Sequence, residues 1–195
     1  MMNNDINTIL LDSIKEVTII SDKEVEILTS VFQSITKKKK EYLVKEGSLS
    51  PNLYFIVKGY VRCFYIENGN EITTQIYSTK DFATSFESFL NNEYSKEYIQ
   101  CTSDCTLLSI SKSDYDKLYQ EVSNWSTFCK SVYEKHIVKI SERANSLQNL
   151  SASDRYLRLL NTQPNIALNT AVKHLASYLG IKPQSLSRIR KEVIK

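Results

Sequence analysis

The sequence predicts an α+β fold, with a β-rich body, a long amphipathic helix and a basic helical tail. Three observations predict it. Short runs rich in Tyr, Phe, Val, Ile and Thr crowd residues 35–110, a narrow apolar stripe at helical spacing follows, and the last 45 residues hold two short apolar periodicities around a lone glycine. With 195 residues the chain can form one compact domain or two small ones. Its 42% hydrophobic and 24% charged residues are ordinary for a globular protein and exclude a disordered or fibrous one.

The first element is a short helix over residues 21–32. Ser21 and Glu24 make a capping box, and Val25, Leu28, Val31 and Phe32 recur at helical spacing. Strands follow in EYLV, LYFIV, YVRCFYI, EITTQIY, EYIQCT and TLLSI, punctuated at Glu46-Gly47, Pro51-Asn52 and Asn68-Gly69. Asn-Gly between alternating runs is a strong hairpin signal, because both central residues of a type I′ turn need positive φ. So many short strands suggest a sandwich or roll. The Lys37 to Lys40 run reads as a solvated loop or sheet edge in preference to a nucleic-acid patch. Helix returns after Ser113 and continues, with one break, to Leu150. Tyr133, Ile137, Ile140, Ala144 and Leu147 alternate steps of four and three, an a/d seam that either packs on the body or, as favoured here, joins two copies of the chain.

The composition also narrows the chemistry. Only four glycines are present (Gly47, Gly59, Gly69, Gly180), none close to another, so the Gly-rich nucleotide-binding loops are excluded. His136 and His174 are the only histidines, and both lie in helical stretches, too few for a three-histidine metal cage and poorly placed for a catalytic triad. A cupin-like metal enzyme would need histidines on strands, and residues 35–112 have none. Neither enzymatic activity, a metal nor a cofactor is expected. The cysteines, Cys63, Cys101, Cys105 and Cys129, include no CxxC pair. On a shared strand, Cys101 and Cys105 would stand about 13 Å apart, too far for a disulfide, so buried, reduced thiols are expected. No apolar run approaches the roughly 18 residues of a membrane span, and the start MMNNDINTILLD lacks the basic-then-apolar pattern of a leader. A cytoplasmic protein with no membrane partner is expected.

Charge is unevenly placed. From Ser151 onward, 8 basic residues (Arg155, Arg158, Lys173, Lys182, Arg188, Arg190, Lys191, Lys195) face 2 acidic ones, Asp154 and Glu192, whereas the first 150 residues carry 17 basic against 20 acidic. A basic tail on a mildly acidic body is the electrostatic footprint of a phosphate-backbone binder, or a solvated helical face.

Within that tail, residues 170–193 read TAVKHLASYLGIKPQSLSRIRKEV. Thr170 is placed to cap a helix whose inner stripe is Val172, Leu175, Ala176 and Leu179. Gly180 can adopt positive φ at its end, Ile181 follows as an apolar plug, and Pro183 suits the first turn of a second helix with Leu186, Ile189 and Val193 inward. This is a helix-turn-helix. The outward residues suit the major groove: Arg188 for guanine, with Gln184 and Ser187 beside it as base readers. Lys173, Lys182, Ser185, Arg190 and Lys191 are expected at phosphates, which fix register without reading sequence. His174 is expected to face solvent. Upstream, SASDRYLRLL opens at Ser151 and Asp154 and ends at Pro164, giving three helices with a thin core that needs support from the body.

The order of parts resembles the Crp/Fnr family of transcription regulators over nearly the whole chain. EYLVKEGSLSPNLYFIVKGYVRCFYIENGNEI, DFATSFESFL with EYIQC, and RYLRLL with KHLASYLGIKPQSLSRIRK carry the resemblance. It implies a double-stranded β-helix, a jelly-roll-like β-roll with flanking helices over residues 1–115. A dimerisation helix region over 116–149 and a helix-turn-helix domain over 150–195 follow. It also implies a homodimer on a two-fold related site in double-stranded DNA, base contacts from Gln184, Ser187 and Arg188, RNA polymerase as a further partner, and an effector held in the roll. Cyclic-nucleotide-binding members carry Gly-Glu and then Arg-Ser in the cassette. Here Thr84 and Ser85 replace the first pair, Ser95 and Lys96 fall near the second, and Ser141 on the long helix lies near the place where an effector base is met. Without the arginine, cyclic AMP is not the expected effector. The first cysteine is Cys63, so no iron–sulfur cluster is expected, nor a β-hairpin wing after Lys195. The competing reading is a ligand-sensing or partner-binding module whose basic tail contacts protein.

Overall fold

A computed structural model describes residues 3–193; Lys195, counted in the tail charge, lies outside them. The chain opens with α1 (Asn3–Lys15) and α2 (Asp22–Val31). In α2 the capping box forms as expected: the Ser21 hydroxyl accepts from the Glu24 N–H while the Glu24 carboxylate accepts from the Ser21 N–H at 2.7 Å. The α1 helix was not read from its residues, and only the helices that the resemblance implies beside the roll pointed to it. Its Ile6, Leu10 and Ile14 recur every fourth residue and bury one stripe against the body beside Phe55 and Phe89.

Among the described residues eight strands follow: β1 (Gln33–Lys37), β2 (Tyr42–Val44), β3 (Asn52–Lys58), β4 (Val61–Glu67), β5 (Asn70–Tyr77), β6 (Phe82–Ala83), β7 (Tyr98–Cys101) and β8 (Cys105–Ser111). A short helix, α3 (Phe86–Asn91), lies between β6 and β7. The strands form two antiparallel sheets, β1-β8-β3-β6 and β2-β7-β4-β5. This is the expected roll. Five consecutive residues of β3 are buried because both faces are covered. Leu53, Phe55 and Val57 face the helices, while Tyr54 and Ile56 face the opposite sheet. The Asn68-Gly69 turn has φ of 50° and 76° and sets Glu67 opposite Asn70, the hairpin its sequence signals. Of the lysine run, Lys37 ends β1 and Lys38 lies exposed in the loop beyond, 3.0 Å from Asp104.

The remaining helices are α4 (Lys112–Glu121), α5 (Trp125–Asn149), α6 (Ala152–Thr162), α7 (Pro164–Asn169), α8 (Val172–Tyr178) and α9 (Pro183–Val193). Pro164 ends α6 as expected but also opens α7 as its first residue, so a fourth short helix joins the three expected. The tail's core of Tyr156, Leu159, Ile166, Leu175, Leu186 and Ile189 is completed by Ile76 of β5, which supplies the support a thin core requires. All four cysteines are free and buried. Cys101 and Cys105, however, do not share a strand: one ends β7, the other opens β8, and a turn of three residues folds the chain back between them. The 13 Å separation of an extended segment therefore does not apply.

Candidate nucleic-acid interface

The helix pair of the tail forms as its sequence dictates, with one exception. Thr170 does not cap α8. Ala171 takes that position without a side-chain bond, and the buried Thr170 hydroxyl has no partner among the described residues. At the other end Gly180 adopts φ of +68°, its N–H reaches Ser177 O at 3.1 Å, and the Ile181 N–H reaches Ala176 O at 3.0 Å. These two bonds are a Schellman closure, which requires the left-handed residue that glycine supplies at low cost. Arginines satisfy the neighbouring carbonyls. Arg143 of α5 donates to Tyr178 O and Thr73 O at 3.1 Å each, and Arg155 donates to Leu179 O at 2.9 Å.

On α9, Leu186 and Ile189 are buried, and this orients the remainder outward. Gln184, Ser185, Ser187, Arg188 and Lys191 are exposed, as is Lys182 just before the helix. Among the described residues the side chains of Lys182, Gln184, Ser185, Arg188 and Lys191 make no hydrogen bond or ion pair. Ser187 Oγ donates back to Pro183 O at 3.1 Å. Gln184, Arg188 and Lys191 stand at i, i+4 and i+7, on one face.

Two expected phosphate residues are engaged within the protein. Arg190 turns inward: its Nη2 donates to Ala167 O at 2.7 Å and its guanidinium lies 5.7 Å from the Tyr156 ring. It ties α9 to α6 and α7. Lys173 Nζ lies 3.1 Å from Glu71 of β5.

That second contact belongs to a larger junction. Strand β5 lies at the edge of its sheet, and α8 covers this edge. Ser177 Oγ accepts from the Thr73 N–H and donates to Glu71 O, both at 2.9 Å. Behind it, buried Arg62 of β4 donates to Gln100 at 3.1 and 2.7 Å, to Glu71 at 2.9 Å and to His174 Nδ1 at 2.8 Å, while covering the Phe64 ring at 3.8 Å. His174 thus faces the roll and not solvent, contrary to expectation. Burial, and then the Arg62 charge, lower its pKa to about 4, which keeps the ring neutral and Nδ1 free to accept. Burial alone would raise Glu71, but its bonds to Arg62 and Lys173 outweigh that and hold the carboxyl below its ordinary range. Sequence reasoning missed Arg62 and Glu71; the one signal was an arginine within the apolar run YVRCFYI.

The expected effector residues do not all converge. Thr84, Ser85 and Ser95 are buried in the cassette, where Thr84 Oγ1 donates to Asn52 O at 2.8 Å and lies 2.8 Å from Ser50 Oγ. Ser95 Oγ donates to Glu97 O at 2.8 Å. Lys96 points outward to Glu87 at 2.7 Å, and Ser141 is exposed on α5. The seam residues divide as well. Ile137 and Ile140 are 63% and 45% exposed, and Ala144 is exposed beside them. Tyr133 instead packs on the core with its hydroxyl 2.7 Å from that of Tyr115, and Leu147 lies against Gly180.

Residues 35–122 match the model for the cyclic nucleotide-binding domain. No curated protein matches the sequence closely enough to count as a relative. Solved structures do match. CLP, a c-di-GMP-responsive global regulator of Xanthomonas campestris, is 17% identical with a TM-score of 0.66, covering 89% of this chain and 91% of its own. FixK2 from Bradyrhizobium japonicum is 14% identical with a TM-score of 0.69, covering 84% of each chain. A protein assigned to the Crp/Fnr family of transcriptional regulators, from Eubacterium rectale, is 13% identical with a TM-score of 0.67, covering 89% of this chain and 83% of its own. Residues 35–122 are therefore similar to a cyclic nucleotide-binding domain, and the chain as a whole shares its fold with these solved structures, one of which is assigned to the Crp/Fnr family of transcriptional regulators.

Proposed function

We propose that the chain is a sequence-specific DNA-binding transcription regulator of the Crp/Fnr type, acting as a homodimer in the cytoplasm. The observation that carries this reading is the exposed face of α9. Gln184, Arg188 and Lys191 point away from a packed helix pair, and among the described residues no group engages their side chains. A helix fits the major groove of B-DNA, where Arg188 pairs with guanine O6 and N7, Gln184 with adenine N6 and N7, and Ser187 serves as donor or acceptor. Lys182, Ser185 and Lys191 meet phosphates, joined by Lys173 when it leaves Glu71. Arg190 acts from behind by fixing α9.

Ile137, Ile140 and Ala144 meet the same residues of a second copy across a two-fold axis. The two recognition helices then read half-sites about one helical turn apart, roughly 34 Å. The effector held by the roll is a small molecule other than cyclic AMP, and RNA polymerase is the protein partner at the promoter. No enzymatic step is assigned to the chain. Selecting bound sites from a random oligonucleotide pool, with and without cell extract, tests the reading. It predicts an enriched two-fold related sequence, and a pool that stays random in both arms contradicts it.

A further inference from the structure

We propose that Cys101 and Cys105 form a reversible dithiol pair that closes to an intrachain disulfide when a hydroperoxide reaches the β7–β8 turn. Both side chains lie in the same buried cluster between the sheets. The turn brings them together: the Thr102 N–H donates to Tyr60 O at 2.8 Å, and Cys105 Sγ reaches the same oxygen at 3.5 Å. Gly59 leaves the space that Cys105 occupies, since a Cβ there would stand 2.6 Å from Cys105 Sγ. Outside this pair the turn is at the surface, with the Asp104 side chain 64% exposed.

The two thiols are unequal. Interaction between the two thiols, with burial adding to it, pushes Cys101 up; the same interaction, with Ser103 and backbone contacts helping, holds Cys105 down to about 7 against burial. A sulfur with that bias is a thiolate nucleophile near neutral pH. The other two cysteines differ. Burial, and then Glu97 at 2.7 Å, raise Cys63, and burial raises Cys129.

The reaction balances without a metal. Cys105 sulfur attacks the peroxide, an S–O bond forms and the O–O bond breaks. This gives the sulfenic acid on Cys105, and the leaving oxygen departs as water or alcohol with the proton that Cys105 released on becoming a thiolate. Cys101 sulfur then attacks Cys105, the S–S bond forms, the S–O bond breaks, and hydroxide departs as water with the Cys101 proton. Two electrons pass from the thiol pair to the peroxide, and an external dithiol reverses the change.

The test uses the full reduced chain, treated with equimolar hydrogen peroxide, then denatured, blocked with N-ethylmaleimide and cut with trypsin. Cleavage after Lys96 and Lys112 places both cysteines on one fragment. That fragment should be two hydrogens lighter and unblocked, while Cys63 and Cys129 stay fully blocked, and prior dithiothreitol should restore blocking. In Cys101→Ser the resolving thiol is gone, so dimedone should trap a sulfenic acid on Cys105. Should the variant not fold, the wild-type masses alone decide. Full blocking of both cysteines after peroxide, or a bridge joining two chains, overturns the proposal.

Discussion

Replacing His174 by Gln should remove an acid sensitivity built into the contact between α8 and the roll. In this fold the neutral ring accepts from Arg62 at 2.8 Å, with Glu71 of β5, Lys173 of α8 and Lys39 of the loop after β1 as the other charges acting on it. Protonation would turn an N–H toward the guanidinium, losing the bond and setting two cations face to face. The sign follows from the direction of the pKa. It is lowered from 6.5 to about 4, so the stabilisation is complete above pH 6.5 and is lost as pH falls through that interval to about 4. At roughly 1.4 kcal/mol per pH unit the displacement sets an upper bound of about 3 kcal/mol. Solvent reaching the partly exposed ring screens part of this, leaving about 1–2 kcal/mol. Because the chain has two histidines, NMR titration of the imidazole protons resolves both, and the His174→Gln spectrum assigns them. His174 should titrate well below 6.5, and denaturant midpoints should fall more steeply between pH 6.5 and 4 in the wild type than in the variant, where the slope that remains comes from His136, also lowered by burial. Gln can still accept from Arg62, and the low carboxyl of Glu71 acts only below about pH 4.5. A His174 that titrates near 6.5, or a variant with the wild-type pH slope, would refute the reasoning.

Other substitutions separate the remaining roles. Gly59→Ala should cost at least about 2–3 kcal/mol by denaturant unfolding, because the backbone holds φ of +108° and the new Cβ would meet Asp104 O and Cys105 Sγ at 2.6 Å. Gly47→Ala, with φ of +76° and open space around it, should cost about 1–2 kcal/mol, and equal losses would mean that crowding at Gly59 is unimportant. Arg190→Ala should lower the unfolding midpoint while leaving the salt slope of DNA affinity unchanged, whereas Lys191→Ala should reduce that slope by about one. The reverse pattern would place Arg190 on a phosphate. Ile137→Glu should leave the far-ultraviolet circular dichroism unchanged and shift sedimentation to the mass of a single chain, and a persistent dimer would locate the interface elsewhere.

Where local chemistry decides the outcome, the residues were legible. The Ser21–Glu24 box, the Asn68-Gly69 hairpin and the Gly180 closure each depend on a few neighbouring residues with one favourable arrangement, and all three form. Helix α1 was implied by the resemblance but not read from its Ile6, Leu10, Ile14 stripe, because the start was weighed as a leader and not for periodicity. What escaped altogether was contact between distant segments. Nothing near Arg190 announces Ala167 O, and nothing near His174 announces an arginine 112 positions away. Both were assigned to solvent or phosphate because the wheel places them away from the main apolar stripe. The roll and the short α7 then occupied those sides. The cassette shows the same limit. Thr84 and Ser95 were placed in the cassette, but their bonds to Asn52 O and Glu97 O are set by the turns that bring those carbonyls in.

The central claim is that α9 reads base edges, and Arg188 tests it most directly. Fluorescence anisotropy on the selected site and on single-base variants, at fixed salt, compares the wild type with Arg188→Ala. The account predicts a loss of about 1–3 kcal/mol on the selected site and a relaxed preference at one base position in each half-site. An equal loss on every sequence, or none on any, would contradict it.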